Sequence, residues 1–277
     1  MTAHDEIIRT WAERPGRHIV NLSGGKDSTA LAIFLRDKIP QLEYLFCDTH
    51  KELPETYAYL DRLEGYLQRP IVKLNAQRGF DHWLDMYGGM LPSARVRWCT
   101  RKLKIEPFEA YVGDDTVWSY VGIRADEARS GYISTKPNIH PILPFKELGM
   151  TIADIERLLE MSGLRLPDYY GWRQRSGCYF CFFQRAHEWV GLRENHPELF
   201  EKAKDYEAER GGERFTWRPG ESLEELEQPE RIARIRREHE RRVARERVCR
   251  PGRPLIELVG AALDAEDDEQ GCNICHL

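Results

Sequence analysis

The stretch Ser23-Gly24-Gly25-Lys26-Asp27-Ser28, here called the 23–28 loop, separates two segments of different periodicity. The apolar run at residues 18–22 predicts a buried strand, and residues 29–38 predict a helix. Glycines on a strand-to-helix turn let the backbone approach a ligand, and the helix N-terminus favours an anion. The sequence therefore predicts a phosphate-binding turn that exposes Lys26 and Ser28. The simpler alternative is a Gly-Gly turn followed by a solvated lysine.

Strands and helices alternate through the first two-thirds of the chain, which predicts a parallel sheet with helices on both faces. Ligands of such sheets bind at the carboxyl ends of the strands, near a switch point. The 23–28 loop and Asp48 both follow predicted strands. The other expected strands are at residues 42–47, 70–74 and 117–121, and further helices are expected at residues 5–13, 54–68 and 151–162.

The composition is that of a globular chain with a sizeable core: 277 residues, 41% hydrophobic and 31% charged. No apolar run approaches the roughly 20 residues of a membrane span, and the first residues lack an apolar signal region. We therefore expect a cytoplasmic protein without a membrane partner. The net charge of −5 argues against a uniformly basic surface but allows a local basic stripe. Seven cysteines favour metal or redox use over disulfides.

The 23–28 loop resembles the PP-loop, SGG[KF]DS, of the ATP pyrophosphatases. The resemblance implies an adenine nucleotide alpha hydrolase-like fold with a doubly wound, mostly parallel sheet. It also implies ATP and Mg²⁺ as ligands, with cleavage between the α- and β-phosphates. Lys26 would stabilise phosphate charge, and Asp27 or Asp48 would assist the metal. The nucleotide would be bound by Ser23, Gly24, Gly25, Lys26, Asp27 and Ser28.

Two further segments resemble sulfonucleotide (PAPS and APS) reductases and their relatives. Residues 47–57 are similar to the DTG…FPET segment, which implies that Asp48 and Thr49 lie near the nucleotide; His50 replaces the glycine. Residues 122–129 are similar to the G.R..ES..R segment. This likeness implies that Gly122, Arg124 and Arg129 face phosphates or substrate, with Arg124 as a catalytic residue. The alternative for the second segment is an ion-paired surface turn.

Cys99 lies among five basic residues between positions 95 and 104. Positive charge favours a thiolate and also suits phosphate. The segment resembles the CC..LK..P stretch of APS reductases, in which a cysteine pair helps to hold a 4Fe–4S cluster. Here Thr100 stands in place of the second cysteine. The form RWCT..LK is more similar to DNA phosphorothioation enzymes of the Dnd and Ssp type. A solvated basic loop with a buried cysteine is the alternative.

Cys178 and Cys181 form a CxxC pair, 79 positions after Cys99. Alone, such a pair is a zinc half-site or a dithiol. The resemblance implies that Cys99, Cys178 and Cys181 hold an iron–sulfur cluster, 4Fe–4S in type, near the carboxyl ends of the strands. Zinc and purely structural thiols remain alternatives. Cys249, Cys272 and Cys275 are left as a second dithiol, an extra ligand or a frayed end.

The sequence divides into a PP-loop, PAPS reductase-like domain at residues 1–205 and an extension at residues 206–277 with an acidic, cysteine-containing tail. Residues 231–250 hold nine arginines and three glutamates, a net charge of +6, and are expected to be helical. Such a run is either a solvated face with internal ion pairs or a contact for a polyanion.

The first functional hypothesis is an ATP pyrophosphatase that serves sulfur insertion, with DNA phosphorothioate modification as its pathway. It implies a cysteine desulfurase as sulfur donor and DNA or DNA-modification complex subunits as partners. The alternatives are a PAPS or APS reductase and a tRNA thiolation enzyme. The alternative from another class is a nucleic-acid-binding module that uses the nucleotide as a switch.

Overall fold

The structure is a computed structural model that describes residues 3–128, 135–209 and 214–248. These residues form two compact units. The first takes the described residues from 3 to 83 and from 98 to 178; the second takes residues 84–97 and the described residues from 179 onward. The domain boundary proposed at residue 205 stays a prediction.

A five-stranded sheet lies at the centre of the first unit. Its strands are β1 (Arg17–Leu22), β2 (Glu43–Asp48), β3 (Ile71–Asn75), β4 (Val117–Tyr120) and β5 (Ile139–Ile142). Their order is β3-β2-β1-β4-β5, and every neighbouring pair is parallel. The chain extends the sheet first on one side of β1 and then on the other, so a switch point lies between β1 and β4. The doubly wound parallel α/β architecture is confirmed.

Helices cover both faces of this sheet. The helices up to residue 178 are α1 (Ala3–Ala12), α2 (Lys26–Leu35), α3 (Pro54–Leu67), α4 (Phe80–Met86), α5 (Trp98–Thr100), α6 (Glu106–Val112), α7 (Pro144–Glu147) and α8 (Ile152–Ser162). Successive side chains of a strand point to opposite faces. Val20 of β1 therefore joins a core cluster with Leu31 of α2, whereas Ile19 joins a second cluster with Phe108 and Val112 of α6.

The basic segment around Cys99 is helical. A π-helix, Arg101–Ile105, lies between α5 and α6, so the chain turns continuously from Trp98 to Val112. Segments of π-helix are rare and occur frequently at functional sites. The sequence alternative of a solvated loop therefore does not describe the backbone here.

Strand β5 was not expected, because Pro141 interrupts its pattern. The structure places β5 at the edge of the sheet, where it pairs only with β4 and Pro141 lies opposite Ser119. Proline lacks a backbone donor and is tolerated on an edge strand, since one side of that strand needs no ladder bond.

The second unit is helical. Its helices are α9 (Ala186–Asn195), α10 (Pro197–Asp205), α11 (Leu223–Leu226) and α12 (Pro229–Val248). Its core is aromatic: Trp217 stacks on Phe180 with ring centroids 4.9 Å apart, and both rings meet Tyr206 edge-on. The helix expected over residues 231–250 corresponds to α12, so the helical C-terminal region is confirmed. Over the described ranges, the chain has no helix with the length and apolar character of a membrane span.

Candidate functional site

The 23–28 loop joins the end of β1 to the start of α2, and its glycines are required by close packing. Gly24 has a φ of +70°, and a Cβ there would lie 2.6 Å from Cγ2 of Thr56. A Cβ on Gly25 would lie 2.7 Å from Oγ of Ser176. Both contacts are shorter than real Cβ contacts, so with a larger residue either the loop or the contacting side chain would have to move. Glycine therefore fixes the path of the backbone at the strand's carboxyl end.

The two serines of the loop hold its shape. The Ser28 hydroxyl donates to the carbonyl oxygen of Gly25 at 3.1 Å and accepts from the Ser23 N–H at 3.2 Å. The Gly25 N–H donates to Oγ of Ser23 at 3.3 Å. Ser28 is fully buried and Lys26 is half-buried, so the expectation that both are exposed was wrong. The packing of α2 beneath the loop, which a local sequence pattern does not show, encloses them.

Three of the predicted catalytic residues meet beside this loop. Asp27 lies between two cations: Nζ of Lys26 is 3.1 Å from Oδ2, and Nη1 of Arg124 is 2.9 Å from Oδ1. Arg124 also contacts Asp126 at 2.9 Å and Glu127 at 2.7 Å. Burial opposes the charge of Arg124, but Asp27 and its neighbouring carboxylates raise its pKa above the ordinary value. Arg124 therefore stays positively charged.

Gly122 allows the segment that carries Arg124 to approach Asp27. It follows β4 across the switch point, and a Cβ there would lie 3.0 Å from the carbonyl oxygen of Asp27. A side chain at this position would crowd the first turn of α2, so glycine lets the segment after β4 pass close to it. Arg124 lies two residues further on and reaches Asp27. Arg129, proposed for the same surface, lies outside the described residues.

Asp48 ends β2, at the same edge of the sheet as the 23–28 loop. Its Oδ1 accepts hydrogen bonds from the Tyr57 hydroxyl at 2.7 Å and the His50 N–H at 2.8 Å. His50 has a φ of +58°, in the left-handed region that favours glycine. This explains why the resembling motif has glycine where this chain has histidine. Asp48 is thus a fixed, buried carboxylate at the end of a central strand.

Thr49 lies in a buried cluster with Glu52 and Cys178. Its hydroxyl donates to Oε1 of Glu52 at 2.8 Å and is 3.2 Å from Sγ of Cys178. Cys178 Sγ lies 3.9 Å from Oε1 of Glu52, and their backbones form an isolated antiparallel bridge. Sequence reasoning missed Glu52, because an acidic residue before a helix is typical of an exposed helix start.

Burial dominates the titration of this cluster. It raises the pKa of the Glu52 carboxyl above its ordinary value, against the effect of Lys104. It raises the pKa of Cys178 to about 12, with Glu52 and Cys99 adding to the rise. Lys104 of the π-helix is the cation that acts on both Glu52 and Cys178.

The proposed cluster ligands are only partly placed together. Cys99 and Cys178 belong to the first unit, and Cys181 belongs to the second. All three side chains are half-buried. The described residues contain no group of three or more histidine, cysteine, aspartate or glutamate side chains arranged around a metal position. The three-cysteine ligand set stays a prediction, and Cys249, Cys272 and Cys275 lie outside the described residues.

The segment at residues 169–176 contacts the 23–28 loop. The Lys26 N–H, at the start of α2, donates to the Tyr170 hydroxyl at 3.0 Å, and the Tyr169 hydroxyl donates to the Gly24 carbonyl oxygen at 3.2 Å. Oγ of Ser176 is 3.3 Å from Oγ of Ser23. Tyr170 therefore occupies a backbone donor that a bound anion would use. The sequence did not indicate this contact, because Tyr170 lies 144 positions after Lys26.

The fold and this site define an α/β protein with a glycine-containing loop and a cluster of paired charges at the carboxyl ends of parallel strands. The chain belongs to the phosphoadenosine phosphosulfate reductase domain family, whose model matches residues 17–181. The specific likeness to DNA phosphorothioation enzymes stays a prediction.

Individual proteins resemble the chain more weakly. The crystal structure of phosphoadenylyl-sulfate (PAPS) reductase from Candida auris, a phosphate complex, matches with a TM-score of 0.50 and 15% identity. The match covers 64% of this chain and 88% of that one, and supports the fold alone. An uncharacterized protein of Methanocaldococcus jannaschii is 27% identical over 67% of this chain, and the match spans only 46% of that relative's own length. An uncharacterized 37.8 kDa protein of Escherichia phage 186 is 25% identical, with 69% of this chain and 74% of that protein covered.

Proposed function

We propose that this chain is an ATP pyrophosphatase that acts in sulfur insertion, with DNA phosphate groups as the sulfur acceptor. The observation that carries the proposal is the cluster of Lys26, Asp27 and Arg124 at the start of α2. It joins a glycine-containing loop to two cations and a carboxylate at the switch point of a parallel sheet. This combination suits a nucleotide phosphate chain better than an uncharged ligand.

The residues fit both ATP and Mg²⁺. Arg124 offers a planar guanidinium for bidentate phosphate contacts, and Lys26 offers a compact point charge. Their positive charge would stabilise the negative charge that develops as the bond between the α- and β-phosphates breaks. Asp27 supplies carboxylate oxygen, which Mg²⁺ prefers, and Asp48 supplies a second carboxylate at the same edge of the sheet. The Lys26 N–H, which donates to the Tyr170 hydroxyl, is the loop donor that a phosphate would take over.

The proposed reaction has two steps. A nonbridging oxygen of the acceptor phosphate attacks the α-phosphorus of ATP, so that an acceptor–AMP anhydride forms and pyrophosphate leaves. A sulfide equivalent then attacks the acceptor phosphorus and AMP leaves, which exchanges one oxygen for sulfur. A cysteine desulfurase together with a thiol reductant would supply that sulfur. The role of this chain's residues is to hold the nucleotide and to offset charge on the leaving pyrophosphate.

An iron–sulfur cluster held by Cys99, Cys178 and Cys181 is part of the proposal. The position of Lys104 on the π-helix that follows Cys99 supports it, because a nearby cation offsets the charge of thiolates. Such a cluster, when bound, would carry sulfur or electrons between donor and acceptor. The high pKa of Cys178 indicates that this thiol is neutral without a bound metal ion, so metal binding would release its proton.

Sulfonucleotide reduction is the second candidate, because the family model that matches is that of the PAPS reductase domain. The substrate would then be PAPS or APS, and the products would include sulfite. Thr100 argues against it, since the APS reductases that this segment resembles have a second cysteine there.

One pair of assays tests the proposal. Full-length protein purified without oxygen is given either ATP and Mg²⁺ with duplex DNA, or PAPS and APS with a thiol reductant. We expect pyrophosphate release from ATP, lost in Lys26→Ala and retained in Lys202→Ala, which removes an exposed lysine of α10. Sulfite release from PAPS or APS without pyrophosphate release from ATP would replace the proposal with the reductase.

A further inference from the structure

Helix α12 is fixed in the second unit by one of its faces. Ile235 is 2% exposed on this inner face. The His239 ring stacks on His187 of α9, with ring centroids 3.8 Å apart. Nη2 of Arg242 lies 3.2 Å from Nδ1 of His239 and 3.4 Å from Nδ1 of His187. Because guanidinium only donates, both rings accept through Nδ1 at these contacts. Arg242 is therefore part of the packing between the two helices.

Two more arginines of α12 serve the same packing. Arg231 forms an ion pair with Glu221, which precedes α11, and Arg236 forms one with Glu194 of α9. These pairs bring acidic side chains of the same unit to the basic helix. The net charge of +6 counted over residues 231–250 therefore overstates the positive charge that a partner can reach, because part of it is paired within the unit.

Four other arginines of α12 form a row outside the inner face of the helix. Arg234, Arg237, Arg241 and Arg245, here called the outer arginine row, are all exposed. Their spacing of three, four and four residues places them on one stripe. Arg234 lies 3.8 Å from Glu238. Within the described part of the chain, no ion pair reaches Arg237 or Arg241.

We propose that the outer arginine row is the surface with which this chain holds the backbone of duplex DNA. The inference rests on the proposed function, in which DNA phosphate is the acceptor. Four residues of helix advance about 6 Å, and one strand of a duplex presents a phosphate about every 3.4 Å along its axis. The row thus carries positive charge at a linear spacing comparable to that of the phosphate charge along a duplex. Arginine also forms bidentate contacts with phosphate.

The composition of the outer face favours a duplex over other polyanions. Proteins that bind single strands stack bases on aromatic side chains, and the described outer face of α12 presents none. A helix that lies on a membrane needs large apolar side chains on its lipid side, whereas Ala244 is the exposed apolar residue beside the row. A stiff row of charges also matches a stiff duplex better than a flexible strand. The remaining competitor is an acidic protein surface.

A salt titration with matched variants tests this surface. Binding of full-length protein to a fluorescent duplex is measured by anisotropy over a range of salt concentrations. Arg237→Gln/Arg241→Gln removes two charges of the row, and Arg157→Gln/Arg165→Gln removes two exposed charges of the first unit. We expect the slope of log K against log salt to fall in magnitude by about 1.8 in the first variant, about 0.9 per phosphate. The second variant should keep the wild-type slope.

Three outcomes would overturn the inference. They are an unchanged slope in Arg237→Gln/Arg241→Gln, an equal loss in the control variant, and binding of this face to polyglutamate but not to duplex DNA. The last would indicate an acidic protein partner. Pyrophosphate release from ATP is measured in parallel. Release with an unchanged slope contradicts this inference alone, whereas a changed slope without release contradicts the proposed function and leaves a duplex-binding surface.

Discussion

The guanidinium of Arg124 lies 2.9 Å from the carboxylate of Asp27, although 97 positions separate the two residues in the sequence. The contact joins the first turn of α2 to the segment after β4, and so spans the switch point of the sheet. Both side chains are largely buried. The ion pair therefore holds one cation beside the 23–28 loop, where nucleotide phosphates would lie.

Arg124 is the first residue to test. In Arg124→Gln, the loop loses a fixed cation while Asp27 stays in place, so we expect kcat for pyrophosphate release to fall by about 10²–10³, as when one charge-stabilising donor is removed. Arg124→Lys should recover only part of this loss, because lysine lacks the planar fork. Steady-state kinetics measures both. Arg62→Gln, at an exposed position of α3, is the control; an Arg124→Gln enzyme with wild-type kcat would exclude a catalytic role.

The glycines of the loop make a prediction about stability. Gly24→Ala forces a Cβ to 2.6 Å from Thr56 at a φ of +70°. A strained left-handed residue costs about 1–3 kcal/mol, so urea unfolding should show a loss of that size. Gly65→Ala lies within α3 with no heavy atom inside 4 Å of the new Cβ, and should stabilise by about 0.5–1 kcal/mol. Equal effects of the two substitutions would contradict the close packing of the loop.

Tyr170 makes a prediction about ligand binding. Tyr170→Phe leaves the Lys26 N–H without its acceptor, which should cost about 1 kcal/mol in the ligand-free protein. A nucleotide phosphate would accept from that N–H, so ATP should raise the Tm of Tyr170→Phe more than it raises the Tm of wild type. Tyr169→Phe removes a donor to a carbonyl and should show no such extra gain. An ATP-induced shift in Tyr170→Phe no larger than in wild type would place the phosphates elsewhere.

The half-buried ring of His187 leads us to expect that the protein becomes less stable to unfolding as the pH is lowered. Burial lowers its pKa to about 3, with His239 and Arg242 acting in the same direction. The unfolded chain would take up this proton below about pH 6.5, while the folded state stays neutral at this ring. Stability should therefore be complete above pH 6.5 and fall as the pH is lowered towards 3, by at most about 1.4 kcal/mol per pH unit from this ring. Partial exposure of the ring makes the measured slope smaller.

Urea unfolding of His187→Gln between pH 7 and pH 4 checks this prediction. The variant should lose less stability over that range than wild type, whereas His4→Gln, at an exposed position of α1, should follow wild type. Identical pH dependence of His187→Gln and wild type would show that the ring is protonated in the folded state.

If Cys99, Cys178 and Cys181 hold an iron–sulfur cluster, the purified protein should be coloured. Full-length chain purified without oxygen should contain about four iron and four sulfide per chain for a cubane cluster. Cys99→Ser, Cys178→Ser and Cys181→Ser should each remove the colour. Cys47→Ala should keep it, because Cys47 lies on β2, is buried in the cluster with Ile19 and Phe108, and is not a proposed ligand. A colourless protein with one zinc per chain would contradict the cluster.

Local patterns predicted the elements that depend on nearby residues. The strand before the 23–28 loop, α2 and α12 all follow from periodicity and from glycine on a turn. The burial of Ser28 was missed, since it depends on packing around α2. Strand β5 was missed because edge position, which sequence does not show, makes Pro141 acceptable.

The site residues that sequence reasoning missed are those defined by long-range contacts. Tyr170 meets Lys26, and Glu52 meets Cys178, across more than a hundred positions. The arginines of α12 show the same limit. Their total was readable from the sequence, but only the structure separates Arg231 and Arg236, which pair with acids of the unit, from Arg237 and Arg241.

The products of ATP cleavage test the central claim most directly. Full-length protein is incubated with Mg²⁺, duplex DNA, sulfide and ATP labelled at the α-phosphate, and the labelled nucleotides are separated. The account predicts labelled AMP with an equal amount of pyrophosphate, and neither product from Lys26→Ala. Labelled ADP with inorganic phosphate, or uncleaved ATP under conditions in which the protein is folded and binds ATP, would contradict it.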